Sequence, residues 1–182
     1  MNRGINGVVR GKGKDIGPQR IYLGYNQIGS QSQAIAGGSI KKLYKKVVPP
    51  RDGLLCAIEV YMQGNAGSNI NVLKGCVHID NLGFPGKIVG VIGGETAGSV
   101  LCNDFSMSAT PRWVSTPMTM ILRGGFTYWL CANIGYGSTH YYNDATCSDG
   151  EQSINETWQR DGSLVTFTNS NKIWCIRAPF IY

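Results

Sequence analysis

The sequence is short of histidine, of acid in its first fifty residues and of long apolar runs, and each shortage removes a class of function. Two histidines in 182 residues, His78 and His140, offer little for a metal cage. Neither stands at zinc-ligand spacing, so no metal is expected. No GxSxG, HExxH or phosphate-loop pattern occurs, and no Cys-x-x-Cys pair. No catalytic residue and no cofactor are therefore expected, and the chain does not read as an enzyme. No apolar run approaches the ~18 residues of a membrane-spanning helix. The first residues, MNRGINGVVRGKGK, lack an apolar h-region, so no secretory signal is expected.

What the chain does hold is glycine, at 25 residues, and an apolar fraction of 42%. That combination suits many turns and short strands around a real core. LLCAIEVYM (54–62) has period two, with Leu54, Cys56, Ile58, Val60 and Met62 on one face. VLKGCVHI (72–79) sets Leu73, Val77 and Ile79 against Lys74 and His78, which makes His78 an ordinary surface residue. KIVGVI (87–92), MTMIL (118–122), FTYWLCANI (126–134), THYY (139–142), SLVTFT (163–168) and KIWCIRAPFIY (172–182) read as further strands. Arg123–Gly124–Gly125 reads as a hairpin-like turn, and Pro85–Gly86 as the turn of HIDNLGFPGKIVG. Asp80 and Asn81 are placed to bond backbone N–H groups in that bend. The inferred fold is an all-β antiparallel sandwich.

Charge divides the chain. Residues 1–50 carry nine Lys/Arg against Asp15, a net +8, and residues 51–182 carry eight against ten acids, a net −2. Pro49–Pro50 blocks regular pairing and reads as a boundary. Two parts follow: a basic, Gly-rich N-terminal arm over 1–50 and a β-sandwich domain over 51–182. RIYLGYNQI has β-character, so the pairing of residues 21–48 into the sandwich stays open. The arm's candidate partner-binding residues are Arg3, Arg10, Lys12, Lys14, Arg20, Lys41, Lys42, Lys45 and Lys46, which suit an acidic surface. Few aromatics accompany them, and nucleic acid is not the expected partner.

Six cysteines stand at 56, 76, 102, 131, 147 and 175. Reduced thiols in a protein made in the cytoplasm are expected, with Cys56, Cys131 and Cys175 as small core residues. Trp129 and Trp174 lie inside strands and are expected to pack. Trp113, Tyr136, Tyr141, Tyr142 and Trp158 lie in or beside loops, where rings can stack on sugars or anchor an interface.

GLLCAIEVYMQG, VHIDNLGFPGKIVG and MTMILRGGFTYWLCANI together resemble a jelly-roll β-sandwich of tailed-phage structural proteins. The elements concerned are Tyr61, Asp80, Gly83, Pro85, Gly86, Gly125, Tyr128, Trp129 and Leu130. The resemblance covers roughly residues 53–135 and the last strand. It implies a virion structural protein, and the basic arm selects a capsid decoration (cement) protein on the capsid exterior, made in the host cytoplasm. The expected partner is the acidic surface of the major capsid protein, and a homo-oligomer, a trimer first, suits the role. The alternative is a receptor- or glycan-binding fibre tip or carbohydrate-binding module using the loop aromatics.

Overall fold

The structure is a computed structural model that describes residues 17–34, 41–64, 73–89, 100–101, 110–134, 138–144, 153–157, 168–170 and 172–182. Its strands are β1 Arg20–Gly24, β2 Gln31–Ala34, β3 Lys41–Val47, β4 Gly53–Gly64, β5 Leu73–Asn81, β6 Phe84–Ile88 and β7 Val100–Leu101. They continue with β8 Arg112–Leu122, β9 Tyr128–Ile134, β10 Ser138–Asp144, β11 Ser153–Thr157, β12 Thr168–Ser170, β13 Lys172–Trp174 and β14 Ile176–Ile181. Among the described residues there is no helix, hence none long and apolar enough to cross a membrane.

Every pairing among the described strands is antiparallel, and these strands divide into two sheets. In the first, β1, β14, β4 and β8 lie side by side, and β10 pairs with the far end of β4 while carrying β2 and β13. The second runs β12, β11, β3, β9, β5, β6, with β7 on β5. The connections β3 to β4, β4 to β5 and β8 to β9 each change sheet, so one core is enclosed between two layers. This is the expected β-sandwich. The core takes Ile58, Val60 and Met62 from β4, Met118 and Met120 from β8, and Leu130 and Ala132 from β9. Burying each of the larger side chains contributes about 1.5–3 kcal/mol.

β8 shows how sequence becomes strand. Val114, Thr116, Met118, Met120 and Leu122 are buried, while Arg112, Pro117, Thr119 and Ile121 are exposed. Among the described residues β8 pairs on one side only, with β4, and there Pro117 is called on for no ladder N–H on the other. The sheets approach closely where Gly75 faces Thr116, whose hydroxyl donates to the Ile58 carbonyl at 2.9 Å. A Cβ on Gly75 would overlap that hydroxyl.

Several expectations are corrected. On β4, Leu55 rather than Leu54 or Cys56 is fully buried, whereas Ile58, Val60 and Met62 keep the expected face. The register of β4 shifts against β8 between Leu55 and Ala57 and against β14 between Arg177 and Phe180. An unpaired residue in a bulge reverses which alternate positions face the core. Arg123–Gly124–Gly125 is not a hairpin turn, because β8 and β9 belong to different sheets. It is a corner stacked on the β3–β4 corner: Gly125 N–H donates to the Pro49 carbonyl at 2.9 Å, and Gly124 N–H to Asp52 Oδ1 at 2.8 Å. Gly125 needs its freedom there, at φ 77°.

The turn of the β5–β6 hairpin is Leu82–Gly83, with φ of 54° and 87°. Two positive φ values in a two-residue loop match the twist of the flanking strands. Pro85 and Gly86 instead lie in β6, a strand at the end of its sheet's order, where a proline is tolerated. Asp80 does bond within the bend, accepting from Gly83 N–H at 3.0 Å.

The boundary expected at Pro49–Pro50 is a corner inside the sandwich. Residues 20–24 pair with β14, 31–34 with β10, and 41–47 lie between β9 and β11. Residues 21–48 thus contribute three strands, and an arm is left only to the residues before β1, of which 1–16 lie outside the described residues. The lysine pairs of KKLYKK hide a strand: Leu43 and Val47 join the core, and Lys45, on their side of β3, is buried as well.

Candidate functional site

The central strands of the second sheet are buried on both faces. On β9, Tyr128, Leu130 and Ala132 enter the core between the sheets, while Trp129 and Cys131 point the other way and are fully buried too. Period two on β3 and β5 puts Tyr44, Cys76 and His78 on that same outer face. Registration then assembles them. Cys131 lies opposite Cys76 on one side and Tyr44 on the other, and Trp129 opposite His78 and Lys46.

The result is a compact group of soft ligand atoms. The Sγ atoms of Cys76 and Cys131 and a ring nitrogen of His78 all lie within 4.8 Å of one another. Cys76 Sγ is 3.4 Å from His78 Nε2, and His78 Nδ1 is 2.7 Å from the Gly86 carbonyl. A carbonyl only accepts, so Nδ1 carries a proton and Nε2 is turned toward the sulfurs. Tyr44 meets the imidazole edge-on, with ring centroids 5.4 Å apart. Asp80, from the hairpin turn, accepts from Trp129 Nε1 at 2.8 Å and so ties β5 to β9 beside the group. Lys46 Nζ lies 5.8 Å from the Trp129 ring centroid.

Electrostatics separate the two thiols. Cys76 is lowered to about 5, first by the hydrogen bond from Cys131, then by the hydrogen bond and charge of His78, with Lys42 adding to them; burial opposes. Cys131 is pushed well above the ordinary range, by burial and then by its bond to the Cys76 sulfur. One thiolate and one thiol sharing a proton is the resulting state. His78 is raised: burial alone would lower it, and its bond to and the charge of Cys76, with the Gly86 carbonyl, outweigh that. A thiolate beside an imidazolium is a nucleophile's arrangement, but Cys76 is 8% exposed and Cys131 0%. Buried sulfurs suit ligation better than attack on an outside substrate.

The outer face of the first sheet is built differently. Arg177 on β14 stacks its guanidinium on Trp113 of β8 and Tyr22 of β1, 3.8 and 4.2 Å from the ring centroids. Its Nε donates to Glu59 of β4 at 2.6 Å, and another guanidinium nitrogen donates to Asn26. Tyr61 meets Trp113 at 5.5 Å, T-shaped.

Trp113 is therefore in a strand, with one ring face taken by Arg177. Tyr141 and Tyr142 are on β10, and Tyr136 and Trp158 lie outside the described residues. Of the basic residues, Arg3, Arg10, Lys12 and Lys14 also lie outside them. Arg20 is exposed on β1, Lys41 is in β3, Lys42 and Lys46 are half-buried, and Lys45 is 2% exposed and cannot dock on an outside partner. Trp129 and Trp174 are buried as expected, and His78, expected at the surface, is 9% exposed. Cys56, Cys76, Cys131 and Cys175 are free thiols. Cys175 accepts the Gly29 N–H at 3.1 Å, and burial pushes it up to about 11 against that bond.

The grouping of Cys76, His78 and Cys131 was missed in the sequence. Its legible part is the Cys-x-His of β5, since positions two apart share a strand face. Cys131 joins through a pairing 55 positions away in the chain, which no local pattern announces. Comparison with family models, with curated proteins and with solved structures finds no match for the chain.

Proposed function

We propose that the protein is a virion structural protein, a capsid decoration protein on the outside of a shell, docking through the basic segment that precedes β1. The observation that carries this reading is the basic segment ahead of β1. There Arg3, Arg10, Lys12 and Lys14 stand against Asp15 alone in sixteen residues, whereas residues 17–182 spread thirteen Lys/Arg and ten acids over the rest of the chain. β1 ends its sheet's strand order, so the chain reaches Arg20 at the rim of the sandwich. An acidic surface of the major capsid protein complements that segment. Ordering it costs entropy, which several copies held in a closed three-fold oligomer offset. The buried thiol–imidazole group fits a binding body better than an enzyme.

Removing residues 1–16 leaves every described strand in place. Removing 1–50 would strip β3 from the second sheet and unfold the body. Particles purified from the source organism are probed with an antibody to the chain, and the full chain and the 1–16 deletion are co-sedimented with them. The chain is expected in the particles, with the full form co-sedimenting and the deletion staying in solution. Absence from particles, or equal sedimentation of both forms, refutes the reading.

A glycan-binding module is the second reading, favoured by the half-buried Trp113 beside Tyr61 and the 39%-exposed Tyr22 on one sheet face. Binding on a glycan array that is lost in Trp113→Ala supports it; an array with no binding removes it.

A further inference from the structure

We propose that Cys76, His78 and Cys131 bind one thiophilic metal ion, Zn²⁺, which clips β5 to β9 on the outer face of the second sheet. Three observations carry this. The first is distance. A tetrahedral zinc holding sulfur at about 2.3 Å and imidazole nitrogen at about 2.0 Å sets the two donors about 3.5 Å apart. Cys76 Sγ and His78 Nε2 are 3.4 Å apart, and Cys131 Sγ lies within 4.8 Å of both. Cys76 and His78 thus need almost no movement to close on an ion, and Cys131 a shift of about 1 Å at most.

The second is orientation. A ligating histidine almost always gives its other N–H to a carbonyl or carboxylate, which fixes the tautomer and raises the basicity of the ligating nitrogen. His78 meets that condition through the Gly86 carbonyl at 2.7 Å, and the edge-on Tyr44 ring fixes its plane. Gly86 is in β6, so the hairpin itself sets the ligand.

The third is placement. A Cys, a His and a Cys converge in a buried layer otherwise made of Tyr44 and Trp129 rings. Packing alone is served there by Val or Ile, with no polar atoms to satisfy. Two sulfurs and one imidazole, without a carboxylate among them, exclude Ca²⁺ and Mg²⁺ and select zinc or its soft neighbours. Two thiolates balance a divalent charge. Binding is ligand exchange without redox change: the one proton that the two sulfurs share and the proton on His78 Nε2 leave for solvent as the bonds to the ion form. Among the described residues the group has three donors, so a tetrahedral ion keeps one position for a donor from elsewhere, a solvent molecule included.

Cobalt(II) is the probe, because it reports tetrahedral thiolate ligation in its visible d–d and near-ultraviolet charge-transfer bands. The full chain, held in a non-thiol reductant and stripped with a chelator, is titrated with Co²⁺. The bands are expected to saturate at about one equivalent and to be erased by an equivalent of Zn²⁺. Thermal unfolding should shift upward by about 5–10 °C with Zn²⁺ at a hundred times its Kd. Cys76→Ser, Cys131→Ser and His78→Gln should each weaken binding more than the ~10–100-fold typical of losing an outer hydrogen-bond partner. Cys175→Ser should leave the spectrum intact. If a ligand variant does not fold, X-ray absorption on the zinc form of the wild type decides: sulfur donors with one imidazole support the clip. A wild type without tetrahedral thiolate bands overturns the proposal. So do bands that survive in Cys131→Ser or His78→Gln, a shell without imidazole, or uptake of Cu⁺ without Co²⁺ or Zn²⁺.

Discussion

The two sheets turn opposite outer faces away from the shared core. On the first sheet, an arginine is held between two rings and an acid, with Tyr22 39% exposed and the Arg177 and Glu59 side chains 16% exposed. On the second, Trp129 and Cys131 are fully buried and Tyr44 1% exposed. The first is a strand face finished with charge and ring stacking at the solvent boundary. The second is a second apolar layer with ligand atoms inside it. Where a strand is half-buried its residues alternate, and where both faces are buried alternation disappears. β8 and β9 show the two cases side by side.

Tryptophan truncation tests this contrast most strongly. Trp129→Ala should cost about 3–5 kcal/mol, because a buried indole leaves a cavity. It also strands Asp80, whose Oδ1 loses the indole N–H. Trp113→Ala should cost about 1 kcal/mol, the scale of an arginine–ring contact and one aromatic pair near the surface. Urea unfolding of the two variants measures both. Equal costs would mean that the two outer faces are not differently built.

Titration comes next, and it concerns the second sheet. In the metal-free protein Cys76 is lowered to about 5 from an ordinary 9.0, first through the hydrogen bond from Cys131. Its folded pKa lies below the unfolded one. Its contribution to stability is therefore complete above the unfolded value and lost as pH falls through about 5. His78 works in the other sense, since its folded pKa is raised. Its contribution is complete below the unfolded value, 6.5, and lost as pH rises through the folded one. Thiolate absorbance of the wild type minus that of Cys76→Ser should titrate with a midpoint near 5. A midpoint at the ordinary 9.0 would show that the sulfur, the imidazole and Cys131 do not share a hydrogen-bonded group.

The legibility of the two faces in the sequence follows from the same contrast. β8 could be recognised over 118–122 because a short apolar run broken only by Thr119 stands there before a Gly-rich corner, although the strand begins earlier, at Arg112. Trp129 and Trp174 could be assigned to packing because they stand in apolar runs. The strand β3 was hidden because Lys41, Lys42, Lys45 and Lys46 dominate its composition, and long lysine stems lie along apolar surface without declaring it. The face switch at Leu55 was hidden because a bulge inserts a residue that no local pattern marks. The turn was misplaced by three residues: Pro85–Gly86 carries the strongest turn composition, yet Leu82 takes the positive φ that such residues rarely adopt. The Cys76–His78 half of the ligand group was written in two-residue spacing, and the Cys131 half only in long-range pairing.

The smallest expected effect belongs to the first sheet's ion pair. Glu59 and Arg177 meet at 2.6 Å with their side chains 16% exposed, so the pair lies near the solvent boundary rather than deep in the core. Glu59→Gln keeps an oxygen in place to accept from Arg177 Nε, and the guanidinium keeps its stacking on Tyr22 and Trp113 and its bond to Asn26. What is lost is the charge. Pairs of this kind contribute up to about 1 kcal/mol, and salt screens them. Unfolding free energies of the wild type and Glu59→Gln should therefore differ by no more than about that amount at low salt and converge as salt is raised. A difference that stays large at high salt would mean that the pair is shielded from water as thoroughly as the Trp129 layer. The division between an outer face finished by charge and one finished by burial would then have to be withdrawn.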